Sequence, residues 1–456
     1  MAKYEKYAEY KDSGVEWLGE IPSHWEVSKF SYVINTVGDI DHYMPDSVDI
    51  GIPYIMTGDL QEKVSEIDLT NCKQVSQEAF QRLSKKIKTS KDDVILARYA
   101  TIGTASYVDI DADFLVSYSC VTIKPKRSKT TGKYLFCYLK SDAFLQAIQM
   151  QVNSNTQGNV GVDSLRAVKV LMPPLEEQNF IINFLDHETA KIDSLIAKQE
   201  KLIELLKEKR QAVISHAVTK GLNPDVNMKD LGVEWLGQVP EHWGIPKLLH
   251  ITTRIGDGLH STPLYQEGTG YYFINGNNLV DGQILIGETA KEVPESEYIK
   301  HQVTLDDTTV LLSINGTIGK VALFNNEPVI LGKSASYMNC CPELVPSFLA
   351  YYLTTSQAKN YYDLEVTGTT IYNLSLNSIR NMKVPLPPIE EQKNIVLFIS
   401  EQYAKYEKLI KSSEKQNELL KERRTALISS AVTGKIDVRH HASRPTGNDK
   451  KQTEDI

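Results

Sequence analysis

Pro173-Pro174-Leu175-Glu176-Glu177-Gln178 opens the stretch on which the reading of this chain turns. Behind it, apolar residues recur every three or four positions: Ile181, Leu185, Ile192, Leu195, Leu202, Leu206, Val213 and Ala217. Polar residues fill the other faces, and neither Pro nor Gly occurs between Glu176 and Lys220. That pattern predicts one long amphipathic helix with a narrow apolar seam. The two prolines suit its first turn, where missing N–H donors cost nothing. Glu176 and Glu177 fall where the helix dipole favours negative charge, and Gly221 and Pro224 stop the helix. At 1.5 Å per residue the rod is roughly 60 Å long.

The same rod is written twice. Pro387-Pro388-Ile389-Glu390-Glu391-Gln392 begins a second copy, 214 positions on (387−173), with a seam of Ile395, Ile399, Tyr406, Leu409, Leu420, Leu427 and Ala431. Ala217-Val218-Thr219 and Ala431-Val432-Thr433 close the two copies alike. A narrow stripe on so long a rod cannot bury itself, so each helix is expected to cover the other. Gln199, Ser413 and Gln416 interrupt the seams near mid-helix and are expected to fix the register.

A second repeat precedes each rod. Gly14-Val15-Glu16-Trp17-Leu18-Gly19, with Pro22, His24 and Trp25, returns as Gly232-Val233-Glu234-Trp235-Leu236-Gly237, with Pro240, His242 and Trp243, at an offset of 218 (232−14). The tryptophans read as anchors of a lead-in segment, and His24 and His242 as surface or capping residues. Between lead-in and rod lie two stretches of short β-branched runs broken by Gly, Asn and Asp turns, which predict mixed α/β domains. The expected layout is a first domain with its lead-in over 1–172, a long helix over 173–222, a second domain with its lead-in over 223–386, a second helix over 387–434, and a polar, disordered tail over 435–456.

At 456 residues the chain has room for several cores. No apolar run is long enough to cross a bilayer, the first residues lack a signal-peptide core, and five cysteines without CxxC pairing fit a reducing cytoplasm. The net charge of −8 argues against indiscriminate polyanion binding, though local basic patches matter more. Catalytic motifs are absent: no phosphate-binding loop, no GxGxxG after a strand, no Asn/Asp-Pro-Pro-aromatic methyltransferase loop and no Pro-Asp…Glu-x-Lys nuclease pattern.

Binding signals are stronger. Arg82, Lys85, Lys86, Lys88 and Lys91 form one basic run, and Lys124, Lys126, Arg127, Lys129 and Lys133 another. Two such runs in an acidic chain favour a phosphate-facing surface, against the alternative of a solvated face. Arg98, Tyr99 and Thr101 sit in a turn after a strand, and its partner in the second domain holds Asn315 and Thr317. Asn155, Thr156, Gln157 and Asn159 lie in a loop made almost wholly of amides and hydroxyls. His260, Ser261, Thr262, Asn275, Asn277, Thr369, Thr370 and Tyr372 supply comparable groups to the second domain. Asn and Gln can pair with adenine edges and Arg with guanine, so these loops are candidate base readers, with ordinary Asx-rich turns as the alternative.

Variable domain, Pro-Pro-x-Glu-Glu-Gln helix, variable domain, second such helix: with the Gly-Val-Glu-Trp-Leu-Gly lead-ins, this order resembles the DNA-specificity subunits of type I restriction–modification systems, up to about Arg439. Asp257-Gly258 with His260, Thr262 and Pro263, and Gly368-Thr369, also look like that family's target-recognition domains. In the first domain Gly38-Asp39-Ile40-Asp41-His42-Tyr43-Met44-Pro45 holds a His and a Pro but reads as departing in spacing. The resemblance implies an α+β fold with two mixed α/β target-recognition domains separated by two long helices packed as an antiparallel coiled coil. It also implies double-stranded DNA as ligand, read as a split asymmetric sequence, and two methyltransferase subunits and restriction (motor) subunits as partners. No cofactor is then expected on this chain; S-adenosylmethionine, ATP and Mg belong to the partners. A duplicated protein-binding adaptor with a helical dimerisation spacer is the alternative, and strongly salt-dependent, sequence-specific binding separates the two.

Overall fold

The computed structural model describes residues 4–152, 158–230, 232–233, 235–368 and 372–441. Its contacts divide the chain into two units, Met1–Gln199 with Lys415–Ile456, and Glu200–Glu414. Two long helices run between them in sequence, α1 (Leu175–Lys220) and α2 (Ile389–Val432).

In the first unit a short hairpin, Tyr10–Asp12 against Glu20–Pro22, leads into a four-stranded antiparallel sheet. Its strands are β1 (Ile34–Gly38), β2 (Val94–Ala97), β3 (Ala105–Tyr107) and β4 (Cys120–Pro125), in the order β1-β4-β2-β3. Beside it Ile52–Ile55 pairs antiparallel with Lys73–Val75 and parallel with Leu115–Val116. Helices Gly132–Leu139 and Asp142–Gln149 follow, started by the side chains of Thr131 and Ser141, which accept from Tyr134 N and Phe144 N.

The second unit repeats this plan. Its hairpin is Met228–Asp230 against Gln238–Pro240, and its sheet is β5 (Thr252–Asp257), β6 (Thr309–Ser313), β7 (Val321–Leu323) and β8 (Ala335–Cys340) in the order β5-β8-β6-β7. Tyr272–Ile274 again has one antiparallel neighbour, Lys291–Glu292, and one parallel, Val329–Leu331. Topology repeats even where sequence similarity has almost vanished, because central strands buried along nearly their whole length and capped helix starts tolerate exchange of apolar side chains.

Within the first unit Arg424 Nε donates to Asp193 Oδ1 (2.7 Å) and Gln199 Nε2 to Gln416 Oε1 (2.7 Å). Position rises on α1 as it falls on α2, so the helices pack antiparallel. In the second unit Arg210 pairs with Glu407, each 214 positions from Arg424 and Asp193 respectively (424−210, 407−193). Gln199 and Gln416 thus do meet, and Ser413 is buried.

The expected seam needs correction. Ile181, Leu185 and Ile192 enter the first unit's core with Leu427 and Ala431, while Ile395 and Ile399 enter the second's with Ile214 and Ala217. Leu195 (48 %) and Leu202 (43 %) are exposed, Ile214 rather than Val213 is buried, and Ile410 rather than Leu409. A straight helix of 3.6 residues per turn drifts off a strict heptad stripe, so the burial face has moved by one position at Ile214 and at Ile410.

The Glu pair also reads differently in place. Glu176 is exposed, as expected of a first turn, but Glu177 is only 5 % exposed. Its carboxylate accepts from Trp25 Nε1 (3.1 Å), from His24 Nε2 (2.8 Å) and from the Tyr7 hydroxyl. In the second unit Glu391 accepts from Trp243 Nε1 (3.2 Å) and His242 Nε2 (2.8 Å). Gln178 Nε2 donates to the Lys129 and Pro173 carbonyls, and Gln392 Nε2 likewise to Glu343 and Pro387. The repeated motif is therefore a joint that fastens helix start to lead-in and domain, and the two histidines are part of it.

At the far end of α2, Gly434 has φ +72, and a Cβ there would stand 2.4 Å from Pro22 Cδ. Only glycine lets this helix end close on the lead-in. The tail is ordered further than its composition suggested: Ile436 and Val438 are buried, and Asp437 N donates to Glu5 O (2.9 Å). His441 packs edge-on to Tyr4, with ring centroids 5.5 Å apart.

Candidate nucleic-acid interface

Strand geometry decides which candidate residues can act together. In the second unit the turn Gly332–Ser334, entering β8, is the hub. Leu259 N donates to Leu331 O (2.7 Å) and Lys333 N to Leu259 O (3.0 Å), which holds the His260 loop. Ser334 Oγ accepts from Gly276 N (2.9 Å) and donates to Asn275 Oδ1 (3.0 Å), and Ile314 N donates to Ser334 O (2.9 Å). Asn315 bridges to Asn373, and Gly316 N donates to Tyr372 O (3.1 Å). Four loops distant in sequence therefore converge at one end of the sheet. His260, Ser261, Thr262, Asn277, Thr317 and Tyr372 are exposed there, and Asn275 and Asn315 half-buried. Beside them a groove of about 530 Å³ is lined by Gly316, Ile318, Lys359, Tyr362, Asp363, Val366 and Tyr372.

The first unit gathers the equivalent loops. Tyr99 bridges to Asn159, as Asn315 does to Asn373, and Arg98 N donates to Ser119 O (3.0 Å), as Ile314 N does to Ser334 O. Ala100 and Gly316 both have left-handed φ, +54° and +72°, so the tip of the turn has one shape in both units. A non-glycine residue held there is a strained position, of the kind that collects at ligand-facing turns. Thr101 is exposed, and Tyr99 and Asn159 half-buried. Asn155, Thr156, Gln157, Thr369 and Thr370 lie outside the described residues.

Arg98 differs from expectation. It is 6 % exposed, paired with Asp39, and its Nε donates to Tyr118 O (3.3 Å). Its terminal nitrogen also donates to His42 Nε2 (3.1 Å). A guanidinium spent on these partners positions its neighbours and does not itself reach a base edge. The basic runs are likewise partly internal to the protein. Lys86 pairs with Asp39 (3.3 Å) and Lys88 with Asp113 (2.8 Å). Lys124 pairs with Asp93 (2.5 Å) and Lys133 with Asp186 (2.5 Å). Burial pushes the Asp93 carboxyl above its ordinary value, and Lys124 offsets only part of that. Among the described residues no carboxylate stands within ion-pair reach of Lys85 or Lys91, in contrast to Lys86 and Lys88.

The expected departure in the first domain's histidine loop does not hold. Gly38, Asp39, His42 and Pro45 stand 218 positions before Gly256, Asp257, His260 and Pro263, in the same spacing and at the ends of the equivalent strands β1 and β5. The differing residues between them hid the match. His42 joins the first cluster, and Tyr118, Lys333 and Asn373, which no loop motif singles out, are further members. The signal that finds them is pairing across the sheet, not composition.

Among the described residues no group of three or more His, Cys, Asp or Glu is placed to hold a metal ion. No described helix is long and apolar enough to cross a membrane.

A family model, the type I restriction modification DNA specificity domain, matches residues 22–205 and 259–421, one match on each repeat and together about three quarters of the chain. The chain belongs to this specificity family. Its similarity to the putative type I restriction enzyme MjaX specificity subunit of Methanocaldococcus jannaschii is 23 % identity over 439 residues, covering 92 % of this chain and 96 % of the relative. To the MjaVIII specificity subunit of the same organism it is 25 % identical over 434 residues, covering 92 % and 95 %. A solved chain from work on complex assembly and conformational transition of the type I R-M system superposes with a TM-score of 0.65 at 17 % identity, covering 90 % of this chain and 98 % of that one. That likeness carries the fold of the specificity family, two mixed α/β domains with a pair of long helices. Both family matches run on into a long helix and take in its Pro-Pro-x-Glu-Glu-Gln start.

Proposed function

We propose that this chain is the DNA-reading and scaffolding subunit of a type I restriction–modification complex, each recognition domain reading one half of a split, asymmetric target through the major groove. The chain has no catalytic role; methyl transfer and cleavage belong to the methyltransferase and restriction subunits, which bring S-adenosylmethionine, ATP and Mg. The observation that carries this reading is the convergence, in each unit separately, of exposed amide, hydroxyl, imidazole and aromatic groups on loops fixed by a common hub at one end of the sheet. Rigid presentation of diverse polar groups is what base readout requires.

In the first domain Tyr99, Thr101 and Asn159 with His42 face the bases, Lys85 and Lys91 face phosphate, and Arg98 supports from behind. In the second, His260, Ser261, Thr262, Asn275, Asn277, Asn315, Thr317 and Tyr372 face DNA, with Lys333 among them. The pair of helices sets the unread gap between the half-sites. The test is to assemble the chain with its methyltransferase partner and sequence the methylated positions in host DNA. Modification confined to a two-part sequence, lost when this chain is omitted, is the expected result; modification independent of the chain refutes the reading.

A further inference from the structure

We infer that His42 and His260, at equivalent positions of the two domains, are specificity determinants of opposite hydrogen-bonding polarity, set by the residue at the position of Arg98 and Ile314. This rests on the DNA reading above and assigns each histidine a class of base.

In the second domain His260 Nε2 lies 2.8 Å from Asp257 Oδ2. A carboxylate only accepts, so Nε2 carries the proton and donates. The neutral ring then has a bare Nδ1, an acceptor, on a side chain that is 71 % exposed. In the first domain the aspartate is taken. Asp39 pairs with Arg98 and with Lys86 (3.3 Å), and stands 3.8 Å from His42 Nε2. The nearest polar partner of that nitrogen is the Arg98 guanidinium, at 3.1 Å. A guanidinium only donates, so His42 Nε2 must accept and its proton sits on Nδ1. The ring lies stacked on Tyr118, with centroids 5.0 Å apart, and its side chain is 60 % exposed.

One exchange separates the two arrangements. Arg98 N and Ile314 N make the same bond, to Ser119 O and Ser334 O, so the residues are structural equivalents. With arginine there, the aspartate is occupied and the histidine shows a donor outward. With isoleucine, the aspartate takes the histidine and the outward nitrogen is an acceptor. In the major groove a donor pairs with guanine N7 or O6, adenine N7 or thymine O4, whereas an acceptor pairs with the amines of adenine N6 or cytosine N4. His42 therefore excludes cytosine, whose edge offers only an amine, and His260 excludes guanine and thymine, whose edges offer only acceptors; adenine satisfies either.

The full chain, labelled with ¹⁵N-histidine and held at about pH 8, above the ordinary imidazole range, reports the tautomers directly by two-bond ¹H–¹⁵N correlation. The expected spectrum has His42 protonated at Nδ1, His260 at Nε2, and His42 converted to the Nε2–H form by Arg98→Ile. The same variant, assembled with the methyltransferase subunits, is expected to admit cytosine and to lose guanine and thymine at one position of one half-site. His42→Ala should lower discrimination at that same position about tenfold, the value of one hydrogen bond to a base edge, and His260→Ala should do so only in the other half-site. An Nε2–H tautomer at His42 in the unmodified chain overturns the inference, as does a flipped tautomer that leaves the set of bases accepted at that position unchanged. Should Arg98→Ile not fold, unchanged discrimination in His42→Ala overturns it on its own. Loss of all sequence preference in the unmodified complex, with the expected tautomers, instead refutes the DNA reading and takes the base assignment with it.

Discussion

Replacing Glu177 by Ala tests whether the repeated Glu-Glu-Gln motif is a joint or a solvated helix start. The carboxylate is the shared acceptor of Trp25 Nε1, Tyr7 and His24, and Trp25 is fully buried. Burial and the neighbouring Glu177 both push the Tyr7 hydroxyl far above its ordinary pKa, so it remains a donor under all working conditions. Truncation strands two buried donors, each worth about 1–3 kcal/mol when left unsatisfied. His24 is half-exposed and recovers water. The expected loss is about 2–5 kcal/mol, confined to the first unit. Glu391→Ala strands only Trp243 Nε1 at a carboxylate that is less buried, so about 1–2 kcal/mol is expected there. Glu176→Ala, one residue away on the exposed side, should stay within about 0.5 kcal/mol. Native-state hydrogen exchange resolves the two units: Glu177→Ala should speed exchange in β1 and β4, and leave β5 and β8 unchanged. A Glu177→Ala loss no larger than that of Glu176→Ala would refute the joint.

Three further outcomes are expected. Burial raises the Glu62 carboxyl, but the hydrogen bonds and charges of Arg424 and Lys140 outweigh it and hold it below the ordinary value. A lowered folded value gives stability that is present above the unfolded value and lost as pH falls through the folded one, so the first unit should weaken below about pH 4, and Glu62→Gln should flatten that slope in pH-dependent denaturation. Asn315→Ala or Thr317→Ala should weaken recognition of one half-site by about 1–3 kcal/mol and leave the other unchanged, read from methylation of site variants. Four residues inserted after Lys198 lengthen α1 by about 6 Å and should lengthen the unread gap by about one or two base pairs with both half-sites intact, as sequencing of methylated sites would show.

The large features were legible because they are periodic or repeated. Helix length came from an unbroken run without Pro or Gly, and duplication from offsets of 214 in the rods and 218 in the lead-ins. The functions of single side chains were not legible, because burial and pairing depend on residues far away in sequence. Glu176 and Glu177 are adjacent and chemically identical, yet one is solvated and the other binds a lead-in some 150 residues earlier. Arg98 looked like a base reader until Asp39, 59 positions away, proved to hold it. The match between the two histidine loops is hidden for the opposite reason: their four shared residues keep one spacing while everything between them differs.

The duplication also explains where the two units must diverge. In the first, Arg424 reaches from α2 to both Glu62 oxygens (2.8 and 2.7 Å) as well as to Asp193, and Lys140 closes on the same Glu62. Recognition domain and helix are thus bolted by a charged cluster. In the second, Arg210 pairs with Glu407 and stacks on Tyr403 at 4.7 Å, but the bolt is missing. The carbonyls of Glu62 and Gly282 accept from Tyr107 N and Leu323 N at 2.9 Å each, so Gly282 occupies the place of Glu62. Thr354 occupies that of Lys140, each capping the equivalent helix. A pocket of about 480 Å³ opens there between Arg210, Gly282, Thr354 and Tyr403. The helical pairing of arginine with carboxylate survives in both units because both its members lie on the repeated rods. The bolt is present in one only, because half of it belongs to the domain outside the rods, where Gly282 and Thr354 replace Glu62 and Lys140.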